Sequence, residues 1–223
     1  MDNLIPATPR SRVRRVPSRA SYDRDFIYRI LDEGLVAHVG LVSDDQPYVI
    51  PMVYARAGDQ LLLHGAAASR LLKQGAAATP MCATVTILDG LVLARSAFHH
   101  SMNYRSVVVL GQARAIEEPA AKLAALAAFL EHVAPGRSQQ TRPPNPKELN
   151  ATTVLALPLE EISAKSRSGG PLDDDDDLAL PFWAGHLPLR LTPGTPLADQ
   201  RHTPQADLPA SLRGYDRPAR LDR

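Results

Sequence analysis

The sequence predicts a mainly β fold with a few helices, an antiparallel barrel or sandwich, and three observations point to it. After residue 34 the helical hydrophobic period gives way to short, β-branched apolar runs. Turn chemistry such as "SDDQ" and "AGD" separates those runs. The hydrophobic fraction is 44% of 223 residues, which suits one core of ordinary size rather than two full domains.

Residues 1–20 are rich in Arg, Pro and Ser and carry no period, so they read as a flexible basic arm. An Arg-rich start can mark an organelle transit peptide, but Asp2 and the missing amphipathic period favour a solvated arm. "YDRDFIYRILDEG" places Phe26, Ile27, Ile30 and Leu31 on one helical face, with acids at its start and Gly34 at its end. "LVAHVGLV", "PYVIPMVYAR", "QLLLHG", "MCATVTILDG", "DGLVLARSAFHH" and "YRSVVVLGQARAIE" follow as six strands. Pro51 cannot donate to a ladder, so its strand is an edge or carries a bulge, a place where a ligand can replace a neighbour. "EPAAKLAALAAFLEHVAPG" is the clearest helix, opened by Pro119 and stopped by "PG". A Pro-rich loop, one helical turn and a further strand, "TTVLALPLEEISAKSR", complete a barrel domain over 21–168. Residues 169–223 read as an extended segment packing on the barrel or a partner, ending in a Pro-rich tail.

Composition narrows function. The formal net charge of +1 creates no global field for nucleic acid, and no helix-turn-helix pattern accompanies the arginines. No apolar stretch reaches transmembrane length, so the chain reads as soluble and cytoplasmic. A single cysteine, Cys82, excludes a disulfide and any multi-cysteine metal site, and it reads as an inert thiol in an apolar strand. His99 and His100 are adjacent and point to opposite faces of a strand, so they cannot readily share a metal and read as loop histidines lining a pocket. Asp173 to Asp177 lack the alternation of a calcium loop and read as a solvated acidic loop. No metal site is expected.

"LLLHGAAASRLLK" carries the sharper chemistry. An apolar strand ends at His64, small residues bend the chain, and a helix opens at about Ser69 with Arg70 and then Lys73 one turn on. Ser69 can cap the helix or donate to an oxyanion, and Arg70 offers a planar fork for phosphate. A capped surface helix with two solvated cations is the plain alternative. Neither a Walker loop nor a G-x-G-x-x-G fingerprint is present.

The run from "YVIPMVYAR" through "HGAAASRLLK" to "CATVTILDGLVLARSAFHHSMNYRSVVVLGQARAI" resembles the pyridoxamine 5'-phosphate oxidase-like flavin-nucleotide-binding family. The nitroimidazole-resistance reductases form the branch most like it. The resemblance covers roughly residues 22–190, including "SAKSRSGGP" and "WAGHLPL". It implies a six-stranded antiparallel split β-barrel with flanking helices, dimeric, with FMN at the subunit interface. Pro51, Met52 and Val53 would lie along the flavin ring, His64 and Gly65 follow from the next strand, and Ser69 and Arg70 would hold the phosphate. A lysine follows that arginine in oxidase members; here Leu71 does, which leaves Lys73 as the second cation. Tyr104 and Arg105 enter the last barrel strand, and Lys165 and Arg167 could reach the flavin phosphate or an anionic substrate from the partner subunit. Trp183 would pack at the core or an interface, or lie as a lid over the flavin. The C-terminal "R-x-H" segment of true oxidases has no counterpart, since "RHTP" at Arg201 has the two residues adjacent, and this argues against vitamin B6 oxidation.

The expected function is an FMN-dependent oxidoreductase that takes electrons from a nicotinamide nucleotide and reduces a small electron-poor, nitroimidazole-like substrate, with His64 on the substrate side. The alternative is a flavin- or haem-binding carrier or sensor without turnover. Some relatives of the superfamily bind haem, but no feature of the sequence selects a haem ligand.

Overall fold

The computed structural model describes residues 3–199, 201 and 207–215. The first two residues of the arm and most of the Pro-rich tail, including His202 of "RHTP", lie outside the described residues. A short strand, β1 (Ala20–Ser21), leads into α1 (Arg24–Glu33), whose start is fixed where Asp23 accepts the Phe26 N–H at 2.7 Å. α1 buries Ile27, Ile30 and Leu31, as its period requires.

β2 (Val36–Ser43) and β3 (Gln46–Ala57) form a hairpin. It turns through Asp44 and Asp45, both with positive φ (52° and 60°), which is what a two-residue hairpin loop needs. Then come β4 (Gln60–Ala66), α2 (Arg70–Ala76), β5 (Pro80–Leu93), β6 (Ser101–Gln112) and β7 (Arg114–Ala115). α3 (Pro119–Val133), α4 (Pro146–Ala151), β8 (Thr152–Pro158), β9 (Glu161–Arg167) and β10 (Gly185–Pro188) complete the order.

Every pairing is antiparallel, and the strands run β1-β9-β6-β5-β2-β3-β4-β8-β7, with β10 added on β5. β8 and β9 are consecutive in sequence yet do not pair, so the path does not close on itself. The fold is a split barrel. Its interior holds Val39, Tyr54, Leu61, Leu63, Leu155 and Ile162. A second apolar cluster, with Ala55, Leu62, Phe129 and Val154, lies between the outside of the barrel and α3.

The strand count exceeds the six expected, for local reasons. β1, β7 and β10 are too short to announce themselves by periodicity. "TTVLALPLEEISAKSR" is two strands because the chain leaves β8 at Leu159 and crosses to the other side of the barrel. Conversely, Asp89-Gly90 does not break the chain into two strands. It is a bulge inside β5, and a Cβ on Gly90 would sit 2.7 Å from the Leu187 carbonyl oxygen of β10.

The basic arm also differs from expectation. Leu4 bridges to Asp23, Ile5 is only 3% exposed within the main core, and the Val13 N–H donates to the Tyr22 hydroxyl at 2.9 Å. Arg10 pairs with Glu161, and Ala20 and Ser21 extend the sheet beyond β9. The aperiodic composition concealed this docking because it uses one buried apolar side chain, Ile5, and scattered polar contacts. Among the described residues no helix is long and apolar enough to cross a membrane. Replacing Ile5 with Ala is expected to lower stability by about 2 kcal/mol, read as a lower urea midpoint with unchanged slope; a freely solvated arm would give no change.

Candidate functional site

β3 divides its pairing between two neighbours. Gln46 to Val53 pair with β2, and Tyr54 to Ala57 pair with β4. Over residues 46–53 the other edge of β3 therefore has no partner strand among the described residues, and Pro51 lies in this stretch. Pro51 and Val53 point out of the barrel and are exposed, whereas Met52 turns inward and packs against the core.

β4 leaves β3 at the same point. Leu63 is its last residue paired to β3, opposite Tyr54, and His64 follows at the fork. His64 alternates with Leu61 and Leu63, so it faces outward, and its ring lies against Phe129 of α3 with centroids 4.1 Å apart. Its Nδ1 is buried and has no hydrogen-bond partner among the described residues. Burial pushes the imidazole pKa below its ordinary value, so His64 is neutral at pH 7. A Cβ on Gly65 would meet Leu72 at an ordinary 3.6 Å, so packing within the protomer does not require glycine there.

α2 fills the gap that the split leaves, burying Leu71, Leu72 and Gly75. Ser69 is its N-cap residue, yet the hydroxyl caps no helical N–H. Arg70 is exposed, and its guanidinium carbon lies 4.6 Å from the centre of the Tyr48 ring on β3. Gln74 donates to the Ser43 hydroxyl at 3.1 Å and ties α2 to the β2–β3 hairpin. Lys73 is exposed in the last turn of α2. The structure thus gathers Pro51, Met52, Val53, His64, Gly65, Ser69, Arg70 and Lys73 around one fork.

The remaining candidates lie elsewhere on the sheet. Tyr104 and Arg105 are on β6, three strand spacings from β3, or roughly 14 Å; Lys165 and Arg167 are on β9, roughly 19 Å away. Arg105 is not an available cation. It forms bidentate pairs with Glu33 (2.5 and 2.8 Å) and Asp89 (2.9 and 2.7 Å), which together hold its pKa above its ordinary value despite burial. Arg167 is buried and donates to Asn103 Oδ1, the Gly169 carbonyl and the Gly170 carbonyl, so it pins the turn after β9. Lys165 donates to the Arg15 carbonyl at 2.9 Å. Sequence reasoning missed these uses because most of the partners, Glu33, Asp89, Asn103 and Arg15, are distant along the chain, and the Gly169 and Gly170 carbonyls reach Arg167 only through the turn after β9. It also missed Tyr48 and Phe129, which only the fold brings to Arg70 and His64.

Among the described residues no group of three or more His, Cys, Asp or Glu could hold a metal ion. A hollow of about 950 Å³, lined by Asp59, Gln60, Gln112 and Glu160 among others, opens at the opposite end of β4 and contains none of the candidates. Asp173 is not part of a wholly solvated loop: its side chain is 1% exposed and accepts both the Arg95 backbone N–H (2.9 Å) and its guanidinium (2.8 Å).

The sequence profile of the pyridoxamine 5'-phosphate oxidase family matches residues 23–166, well over half of the chain. The chain belongs to that family. Among solved structures, this split-barrel protein is similar to the flavocytochrome Anf3 from Azotobacter vinelandii. They share 38% identity over 95% of this chain and 99% of that one, with a TM-score of 0.89. It is also similar to an FAD and haem binding protein from Mycobacterium smegmatis, at 37% identity over 88% and 96% of the two chains, with a TM-score of 0.84. A candidate 5-nitroimidazole antibiotic resistance protein from Bacteroides thetaiotaomicron matches at 21% identity over 66% and 85%, with a TM-score of 0.54, and speaks for the fold alone. No curated protein matches the chain.

Two outcomes test this geometry. Arg105→Ala strands two carboxylates beside each other and is expected to cost about 2–3 kcal/mol, less than a fully buried pair because the site is partly wet. Chemical denaturation reads it, and a loss of ligand affinity without loss of stability would contradict the structural role. For His64, the folded-state pKa lies below the ordinary 6.5, so its contribution is fully present above about pH 6.5 and is lost as pH falls from there through the folded value. The urea midpoint should fall less between pH 7.5 and 5.5 in His64→Phe than in the wild type.

Proposed function

We propose that this chain is a flavin- and haem-binding oxidoreductase, a homodimer whose flavin lies along the unpaired edge of β3. The observation that carries the reading is the fork itself. A strand edge with free backbone groups at residues 46–53 lies beside an exposed arginine resting on Tyr48 and a hydroxyl at Ser69 that caps nothing. A ring with a hydrogen-bonding rim can take the place of a neighbouring strand, and a phosphate suits Ser69 and Arg70. Lys73, one turn along α2, adds charge to the same end.

The flavin is proposed as FAD rather than FMN. The Mycobacterium smegmatis relative binds FAD and haem and is similar over nearly the whole chain, as is the flavocytochrome. Bound flavin would supply two-electron transfer and bound haem one-electron transfer. The chain's part is to hold, orient and dry these groups. The β3 backbone would orient the ring, Phe129 keeps water from one face of His64, and burial keeps that imidazole uncharged at the fork.

The dimer is supported by the outer face of the sheet. Val36, Val42, Val49 and Val53 are exposed there, and a second copy would cover them. It could also bring Tyr104 or Lys165 of one protomer toward the fork of the other.

A second reading is an NAD(P)H-dependent reductase of a small electron-poor substrate such as a nitroimidazole. It is favoured by His64, which faces outward at the fork with a neutral ring. Anaerobic NADH or NADPH added to flavin-loaded protein separates the two: oxidation of reduced flavin by a nitroimidazole supports the reductase, and its absence leaves the flavin–haem reading.

The first test is titration of purified protein with FAD and with FMN by flavin fluorescence. FAD should bind more tightly, and Arg70→Ala should weaken it about tenfold or more, since a charge-assisted phosphate contact contributes about 1.5–3 kcal/mol. Equal affinity in wild type and variant would remove Arg70 from the site.

A further inference from the structure

The end of β5, the start of β6 and all of β10 build a three-stranded tab that projects beyond the barrel. Leu187 of β10 pairs with Leu91 of β5, which pairs with Met102 of β6, so the three side chains share one face. Leu187 and Met102 are each 51% exposed. Gly185 lies two residues from Leu187 on that face, and a Cβ there would be 2.9 Å from the Trp183 ring, so the indole lies across it. Trp183 is 69% exposed, and Phe98, two residues before His100, is 88% exposed. The tab therefore presents a broad apolar surface with an aromatic plane at one end. Of the expected places for Trp183, core or interface or a lid over the flavin, this exposure removes the core.

His100 lies two residues before Met102 in extended backbone (φ −60°, ψ 141°), so it leaves the chain on the same side. Its Nδ1 is 3.0 Å from the Ser96 carbonyl oxygen. A carbonyl can only accept, so Nδ1 is the donor there, and in the neutral tautomer this leaves the lone pair on Nε2. His100 is exposed. An imidazole whose Nδ1–H is held by a backbone carbonyl, with Nε2 directed outward, is the arrangement of a metal ligand whose ring is oriented in advance.

The surroundings decide which metal. No cluster of three or more ligating side chains exists among the described residues, and His99 is turned to Asp174 at 3.2 Å. A bare ion needs several protein donors and would find one here. A metal that brings its own planar set of four nitrogens needs only an axial ligand and an apolar seat. We propose that the tab is a haem seat and that His100 Nε2 is the axial ligand to its iron. This inference rests on the flavin–haem reading above.

The other histidines fit less well. Nδ1 of His64 is buried against Phe129 with nothing to fix its tautomer, and His132 spends Nε2 on the Gly34 carbonyl at 2.8 Å. His186 lies between Gly185 and Leu187 and so points to the opposite face of the tab.

The test is haemin titration of the full-length protein followed by absorption and electron paramagnetic resonance. Wild type should bind one haemin per chain with the Soret and low-field signals of a histidine-ligated haem. His100→Ala should lower haemin affinity tenfold or more and shift the Soret band, with added imidazole restoring the ligated spectrum. Its flavin affinity and thermal midpoint should be unchanged; if that variant does not fold, His100→Gln serves in its place. His64→Ala should keep the wild-type haem spectrum. A wild-type spectrum and affinity in His100→Ala would overturn the ligand assignment and leave the haem reading standing. No haemin binding by wild-type protein would overturn the haem reading, and the seat with it.

Discussion

The structure depends on a strand that changes partner part-way along its length. β3 is hydrogen-bonded to β2 through Val53 and to β4 from Tyr54 onward, so each half has one open side. An exposed run of unpaired N–H and C=O groups invites pairing with another chain, and proline is one of the few residues that blunts it. Pro51 sits in that run. The same division forces β4 away at His64, opens the gap that α2 fills, and sets Arg70 across Tyr48. The fork is thus a consequence of strand pairing before it is a matter of any ligand.

Burial then sorts the cations. A guanidinium withdrawn from water must be paired or fully hydrogen-bonded, and the chain meets that demand in different ways. Arg105 takes two carboxylates, Arg95 takes the buried Asp173, and Arg167 takes amide and carbonyl oxygens around the turn at Gly169. Arg70 alone of the candidate arginines is exposed and held by an aromatic face, which leaves its planar edge open. Four arginines that look alike in sequence therefore hold different positions in the chemistry, and the difference lies in what the fold places opposite each.

Local features were legible for the same reason that distant ones were not. α1 and α3 could be read because their caps, apolar period and stops lie within a few residues of each other. Pro51 disclosed an edge because the missing N–H is a property of one residue. Asp89-Gly90 misled, since a pair that favours a hairpin turn also serves a bulge, and only the approach of β10 decides between them. The docking of the arm through Ile5, the carboxylates facing Arg105 and the ring beneath His64 all join positions well beyond one another's local sequence window. Charge and residue type suggested which side chains could do chemistry. They could not say which of them were already occupied in holding the barrel.

The tab shows how such occupation can serve a site at a distance. Asp173, first of the acidic run, is buried on Arg95 at the point where β5 ends, and His99 engages Asp174 beside it. The Leu189 N–H donates to the Asp89 carbonyl at 3.0 Å, and Gly90 lets β10 close against the bulge. These contacts anchor the segment from Asp173 to Pro188, whose last four residues form the added strand β10, although its composition reads as an acidic, Pro-rich loop. Strand pairing then aligns Leu187, Leu91 and Met102, and the Ser96 carbonyl sets the ring of His100. A flat face and a held imidazole need rigidity more than they need burial, because a ligand loses less on binding when its contacts are already in place. Asp173 and Asp174 supply part of that rigidity by tying the segment to Arg95 and His99.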